Sequence, residues 1–207
     1  MSTRTQLGSA VRSAPTSCLR ERGGEVVDLP SHRWVEPISA AERRLLEFVE
    51  GPVIDIGCGP GRHVLALAES GIVCLGIDVS LPALVRARTR GAPVIQRSVF
   101  DRVPGAGRWG TALLLDGNVG IGGEPATLLR RVARLLRADG RALIELDPPG
   151  AVRGPHEVRF ELDGRAGPWF AWAYARVDDV EDLARESGLR VARVWEDSSR
   201  WFAQLDR

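Results

Sequence analysis

Four carboxylates and two runs of glycine stand where types and spacing permit chemistry. Asp55, Gly57, Gly59 and Gly61 lie in "VIDIGCGPGRH", Asp78 closes "VCLGID", Asp116 opens "DGNVGIGG", and Asp147 opens "DPPG". In the first stretch an apolar run meets glycines at alternate positions, and a helical pattern follows at once. Glycine allows a tight turn and lets backbone N–H groups approach a ligand; the helix start adds unpaired N–H groups and partial positive charge. Such a turn suits a nucleotide-like cofactor. A dinucleotide fingerprint wants its third glycine at position 62, which is Arg62, so a nicotinamide dehydrogenase is disfavoured. Asp78 falls roughly 20 residues on, where a carboxylate typically holds ribose hydroxyls.

The elements that must position these groups alternate along the chain. "PVIDIG", "VCLGID", "APVIQRS", "TALLLD" and "RALIELD" read as short buried strands. "GRHVLALAES", "LPALVRART" and "EPATLLRRVARLLRADG" read as helices, the last with Leu128, Val132, Leu135 and Leu136 on one face and Gly140 after its end. This alternation predicts a parallel sheet covered on both faces. "SAAERRLLEFVE" predicts a preceding helix, with Ser39 and Glu42 as a capping box. Beyond about 156 the pattern changes to "EVRFEL" and "WFAWAYA", a hairpin turning near Asp163-Gly164, then a helix at "VDDVEDLARESG" and a closing antiparallel pair. Residues 1–38 read as a partly mobile tail and cap, rich in Ser, Thr, Arg, Gly and Pro; residues 39–207 form one domain, with 156–176 as an inserted hairpin.

Composition narrows the classes. The formal net charge is +1, so no global field draws nucleic acid or an anionic membrane. All basic residues are Arg, which removes Schiff-base and P-loop lysine chemistry. A bias that uniform gives any single arginine little weight. Cys18, Cys58 and Cys74 show neither disulfide nor metal-ligand spacing. No apolar h-region or membrane-spanning run is present, and a cytoplasmic location is expected.

"DIGCGPGRH", "GIDVS" and "LLRADGRALIE" together, in this order and spacing, resemble the class I S-adenosylmethionine-dependent methyltransferases. The resemblance covers roughly residues 39–150, and the closing hairpin fits it. It implies a Rossmann-like doubly wound α/β sheet, mostly parallel, with an antiparallel C-terminal hairpin strand and the inserted β-hairpin after the fifth strand. It implies S-adenosyl-L-methionine as cofactor. Asp55, Gly57, Gly59 and Gly61 would cradle its methionine end, with Cys58 and His63 in the same turn. Asp78 would hold the ribose with Val79 beside it, and Ser98, Val99 and Phe100 would edge the adenine. Many family members place an acid directly after the third strand; here none precedes Asp101.

The same family sheet sets the strands "TALLLD" and "RALIELD" beside the cofactor strand, so Asp116 and Asp147 are expected to face one cleft. "DGNVGIGG" admits three readings. A phosphate site is opposed by Glu124 at the following helix start. A left-handed turn and cap built on Asn118 is the plain alternative. The third, favoured by strand position and resemblance, makes Asp116, Gly117 and Asn118 a wall of the transfer site, the later glycines giving an acceptor room. Asp116, Asn118 and Asp147 are then the candidate catalytic residues, and Asp116 and Gly117 also meet the cofactor. His156, at the start of the hairpin, is a further candidate base. "DPPG" is superficially similar to the D/N-PP-Y/F motif of amino-directed methyltransferases, but it follows the wrong strand and lacks the aromatic residue. Phe170, Trp172 and Tyr174 share one strand face, expected either as a lid or as packing, and Trp34 as a second cap. The expected activity is methyl transfer to a small, partly apolar metabolite by a monomer or homodimer. A nucleic-acid or protein methyltransferase and a noncatalytic S-adenosylmethionine-binding partner protein are the alternatives.

Overall fold

The structure is a computed structural model that describes residues 17–24, 26–28, 31–151, 156–162 and 165–207. The central sheet is built from β3 (Val53–Ile56), β4 (Cys74–Asp78), β5 (Val94–Gln96), β6 (Trp109–Leu114), β7 (Leu136–Leu146), β10 (Arg190–Asp197) and β11 (Arg200–Asp206). Its order is β10-β11-β7-β6-β3-β4-β5. β3 pairs in parallel with β4 and β6, β6 with β7, and β4 with β5; β11 runs antiparallel to β7 and β10. All four residues of β3 and all six of β6 are buried, as an apolar strand covered on both faces must be. The order reverses between β3 and β6, which opens a crevice at their carboxyl ends.

Helices cover the two faces. α5 (Pro125–Leu135) and α6 (Val180–Ser187) close one side, where Leu128, Val132, Ile144 and Leu205 pack. α2 (Ala40–Leu46) and α3 (Arg62–Glu69) close the other, where Leu45, Leu67, Leu113 and Phe202 pack. α4 (Leu81–Thr89) lies over β4 and β5. Ser39 and Glu42 form the capping box of α2, the Ser39 N–H donating to Glu42 at 2.7 Å and the Glu42 N–H to the Ser39 hydroxyl at 3.2 Å. Among the described residues, no helix is long and apolar enough to cross a membrane.

Two elements differ from the sequence expectation. α5 stops at Leu135 rather than before Gly140, because Leu136 is fully buried and already pairs with Trp109 of β6. Gly140 serves a close strand approach: a Cβ there would lie 2.9 Å from the Trp109 carbonyl oxygen. The N-terminal segment is not simply a tail. β1 (Ser17–Glu21), β2 (Val26–Asp28), β8 (His156–Leu162) and β9 (Arg165–Trp172) form a second sheet in the order β2-β1-β8-β9. Cys18 and Leu19 are buried in it, an apolar content that the surrounding polar composition hides. α1 (Ser31–Val35) connects this sheet to α2, and Trp34 stacks on Phe160 at 6.1 Å. The turn expected at Asp163-Gly164 lies outside the described residues.

Candidate active site

The turn after β3 is open toward the crevice. Gly59 has φ +52°, and a Cβ built on it meets nothing within 4 Å. Its N–H donates to Asp78 at 2.8 Å, and the other Asp78 oxygen accepts from the Ser80 N–H at 2.7 Å. Asp78 therefore ties the glycine turn to the start of α4. Burial pushes its carboxyl up, the Ser80 and Gly59 N–H groups oppose that, and the Asp55 charge adds to it. Gly61 precedes α3, whose N-terminus has no side-chain cap. Val79, directly after β4, and Phe100, beyond β5, are exposed apolar side chains, and the Ser98 hydroxyl accepts from the Phe100 N–H at 3.2 Å.

Four of the expected cofactor residues face inward instead. Asp55, Cys58, His63 and Val99 are 1%, 6%, 3% and 3% exposed, Val99 within the main core. Cys58 fills the space a side chain at Gly76 would need, and burial drives its thiol up, aided by Asp55 and Asp78. His63 lies between Glu42 (3.4 Å) and Asp55 (3.8 Å). Burial disfavours its proton, but those two carboxylates and Asp116 outweigh burial and lift its pKa to about 9.

A buried ionic cluster underlies both loops. Arg62 Nη2 donates to both Asp116 oxygens at 2.8 and 2.7 Å, and Nη1 to Glu42 at 2.9 Å. Arg200 donates to Glu145 at 2.7 and 2.6 Å, to Glu42 at 2.8 Å and to Asp116 at 3.4 Å. The Asp116 N–H donates to Glu145 at 2.6 Å. Burial opposes the charge of Glu42, yet His63, the Ser39 N–H and Arg200 together hold its carboxyl well below the usual range. Asp116, an expected catalytic residue, is thus engaged by two guanidiniums through charge-assisted hydrogen bonds. Asn118 is likewise committed, its amide donating at 3.0 Å to the carbonyls of Ile56 and Gly57. Sequence reading missed Glu42, Arg62, Glu145 and Arg200. Arg62 did leave a signal, since a cation in the first turn of a helix opposes the helix dipole and needs a tertiary partner.

The glycines of "DGNVGIGG" accommodate the hairpin, which corrects their assignment as space for an acceptor. The Ala173 N–H donates to the Gly120 carbonyl at 3.0 Å, Ile121 bridges Trp172, and a Cβ at Gly120 would overlap the Ala173 carbonyl oxygen. Gly122 receives the Phe100 ring and Gly123 the Ala171 methyl. Farther along, the Asp147 N–H donates to Ala175 and the Val177 N–H to Asp147, so residues 173–177 stitch the loop after β6 to the loop after β7. Between those loops lies a small cavity of about 60 Å³ lined by Gly117, Val119, Glu145, Leu146, Asp147 and Ala175. Asp147 and Gly117 thus meet at one cleft. Trp172 lies over Gly117, 3.7 Å from the position of its missing Cβ, with Phe170 edge-on at 6.1 Å. His156 pairs with Glu21 at 2.9 Å inside the second sheet, and Trp34 is spent on Phe160 rather than on the glycine turn.

Residues 53–140 match the family model described as a methyltransferase domain. No curated protein matches the chain in sequence. Among solved structures, a methyltransferase from Bacteroides fragilis in complex with S-adenosyl-L-homocysteine is 24% identical, with TM-score 0.79, covering 92% of this chain and 86% of its own. A Mesorhizobium loti S-adenosylmethionine-dependent methyltransferase is 19% identical, with TM-score 0.61 and coverage of 81% and 96%. The Burkholderia thailandensis 1,6-didemethyltoxoflavin-N1-methyltransferase is 18% identical, with TM-score 0.60 and coverage of 81% and 78%. The seven-stranded sheet and its glycine turn give the chain the fold of these methyltransferases, and residues 53–140 carry the matched methyltransferase domain.

Proposed function

We propose that the protein transfers the methyl group of S-adenosylmethionine to a small, partly apolar acceptor. The observation that carries this reading is the open turn at Gly59 beside the cavity at Gly117 and Asp147, the two joined by Asn118. The residues present fit the cofactor. The glycine turn and the uncapped α3 N-terminus suit its methionine carboxylate, Asp78 its ribose hydroxyls, and exposed Val79 and Phe100 its adenine. When bound, the cofactor supplies an electrophilic methyl on a positively charged sulfur.

The chain's part is alignment and exclusion of water. Trp172, Val119 and Ala175 give the acceptor side apolar walls, and Asp147 is a carboxylate that lines the cavity. Asp147 orients a donor group on the acceptor, or takes its proton if the nucleophile must lose one. A small acceptor accords with the near-zero net charge. The Burkholderia neighbour is a 1,6-didemethyltoxoflavin-N1-methyltransferase with 1,6-didemethyltoxoflavin bound, which lends the same class support. Unpaired Cys18, Cys58 and Cys74 suit action in the cytoplasm, as a monomer or homodimer.

The test pairs calorimetry with product analysis. Wild type is expected to bind S-adenosylhomocysteine, and Asp78→Ala to bind it about tenfold or more weakly. Radiolabelled methyl from S-adenosylmethionine, offered with a metabolite extract, RNA, DNA and protein, is expected in the small-molecule fraction. Label confined to a macromolecule would refute the acceptor class, and unchanged affinity in Asp78→Ala would refute the ribose assignment.

A further inference from the structure

We infer that Arg200 and Asp116 are positioning residues for the cofactor turn, acting through Asn118. The inference rests on the cofactor reading above and concerns groups that do not themselves face the turn. A continuous chain of contacts runs from the C-terminal hairpin to the glycines. Arg200, the first residue of β11, holds Glu145, Glu42 and Asp116. Arg62 clamps both oxygens of Asp116 from the opposite side, and Glu145 accepts the Asp116 N–H. Asp116 so held has φ +55° and hands the chain to Gly117 at φ +80°. That pair of left-handed residues aims Asn118 at the end of β3. Its amide takes the carbonyls of Ile56 and Gly57 and occupies the space beside Gly57, 2.7 Å from where a Cβ would stand.

Backbone strain marks the same cluster independently. Among the described residues, the non-glycines with positive φ are Asp116, Ser198 and Ser199. The first is a member of the cluster; the other two form the tight turn immediately before Arg200. That turn is strapped down by Arg44 on Asp197, with two contacts of 2.7 Å, and by the Ser198 hydroxyl on Asp197 at 2.9 Å. Unfavourable backbone conformation persists only where the surroundings over-determine it, and it gathers at sites where geometry matters to function. Two strained segments far apart in sequence converge here on one carboxylate. A cluster needed only to fill the interior has no reason to place a non-glycine in the left-handed region at the hinge of the acceptor loop.

The test titrates S-adenosylhomocysteine into wild type, Asp116→Asn, Arg200→Gln, Asn118→Ser and the double variant Asp116→Asn/Asn118→Ser, with melting followed in parallel. Each single variant is expected to bind about tenfold more weakly, and the double variant about as weakly as either single, because the residues act in series. Loss of melting temperature with affinity held within about twofold of wild type would make the cluster merely structural and overturn the proposal. Additive losses in the double variant would also overturn it, by showing that Asp116 does not act through Asn118. Should Arg200→Gln or Asp116→Asn fail to fold, Asn118→Ser decides the last link alone, since it leaves every ion pair in place. Wild type that fails to bind S-adenosylhomocysteine would refute the cofactor reading instead.

Discussion

Raising the pH should unload His63 and cost the fold a definite amount. The imidazole is buried between Glu42 and Asp55, and its pKa rises from the ordinary 6.5 to about 9. A group that holds its proton more tightly when folded stabilises fully below its unfolded pKa and loses that contribution as pH climbs through the folded one. The window is therefore from 6.5 to about 9, with stability falling as pH rises. At 1.36 kcal/mol per pH unit the lost contribution is about 3 kcal/mol. In a domain of this size that corresponds to a fall in Tm of roughly 6–12 °C. His63→Gln, neutral at every pH, is the comparator, because other titrations occur equally in both proteins. Urea unfolding at about pH 6 and about pH 10 should show wild type losing its advantage over the variant between the two. An advantage that stays constant would mean that folding leaves the imidazole pKa unshifted, and the three-cation balance of the cluster would have to be redrawn.

Gly120→Ala places a methyl group against the Ala173 carbonyl and should lift the hairpin from its loop, costing about 2–4 kcal/mol by overpacking and the lost hydrogen bond. Faster hydrogen exchange confined to residues 170–173 would confirm it, and wild-type protection there would show that the contact is dispensable. Gly59→Val should separate stability from binding. With open space at its Cβ, it loses only about 1–2 kcal/mol for a left-handed non-glycine, while S-adenosylhomocysteine binding disappears; retained binding would remove the turn from the site.

The fold was legible because its signals are local and repeated. Apolar runs such as "VIDI" and "ALLL" are buried on both faces, and the Ser39–Glu42 box starts α2 as its spacing predicts. The site was legible where backbone geometry decides it: a glycine turn must follow β3, and Asp78 must close β4. It was illegible where the partner is remote. Nothing near Asp116 in the sequence announces Arg200, which is 84 residues away, so its place in an ion-pair cluster was hidden. The later glycines of "DGNVGIGG" misled for a related reason. A glycine marks close approach without saying by what, and here the visitors are Ala173, Phe100 and Ala171 of the chain itself.

Arginine bias made the decisive cations easy to discount, yet the cluster depends on what distinguishes arginine from lysine. Arg200 uses Nε, Nη1 and Nη2 to reach three carboxylates contributed by α2, β7 and the loop after β6. A lysine offers one compact charge and cannot span that spacing. Burying these charges carries a desolvation cost that well-packed apolar side chains would avoid, so stability alone gives little reason to keep them. What apolar packing cannot supply is direction. A fork with fixed angles sets where Asp116 points, Asp116 sets the turn at Gly117, and that turn sets the Asn118 amide on the Gly57 carbonyl. The cluster is therefore best understood as geometry bought with solvation, spent on holding two loops in register at the mouth of one crevice.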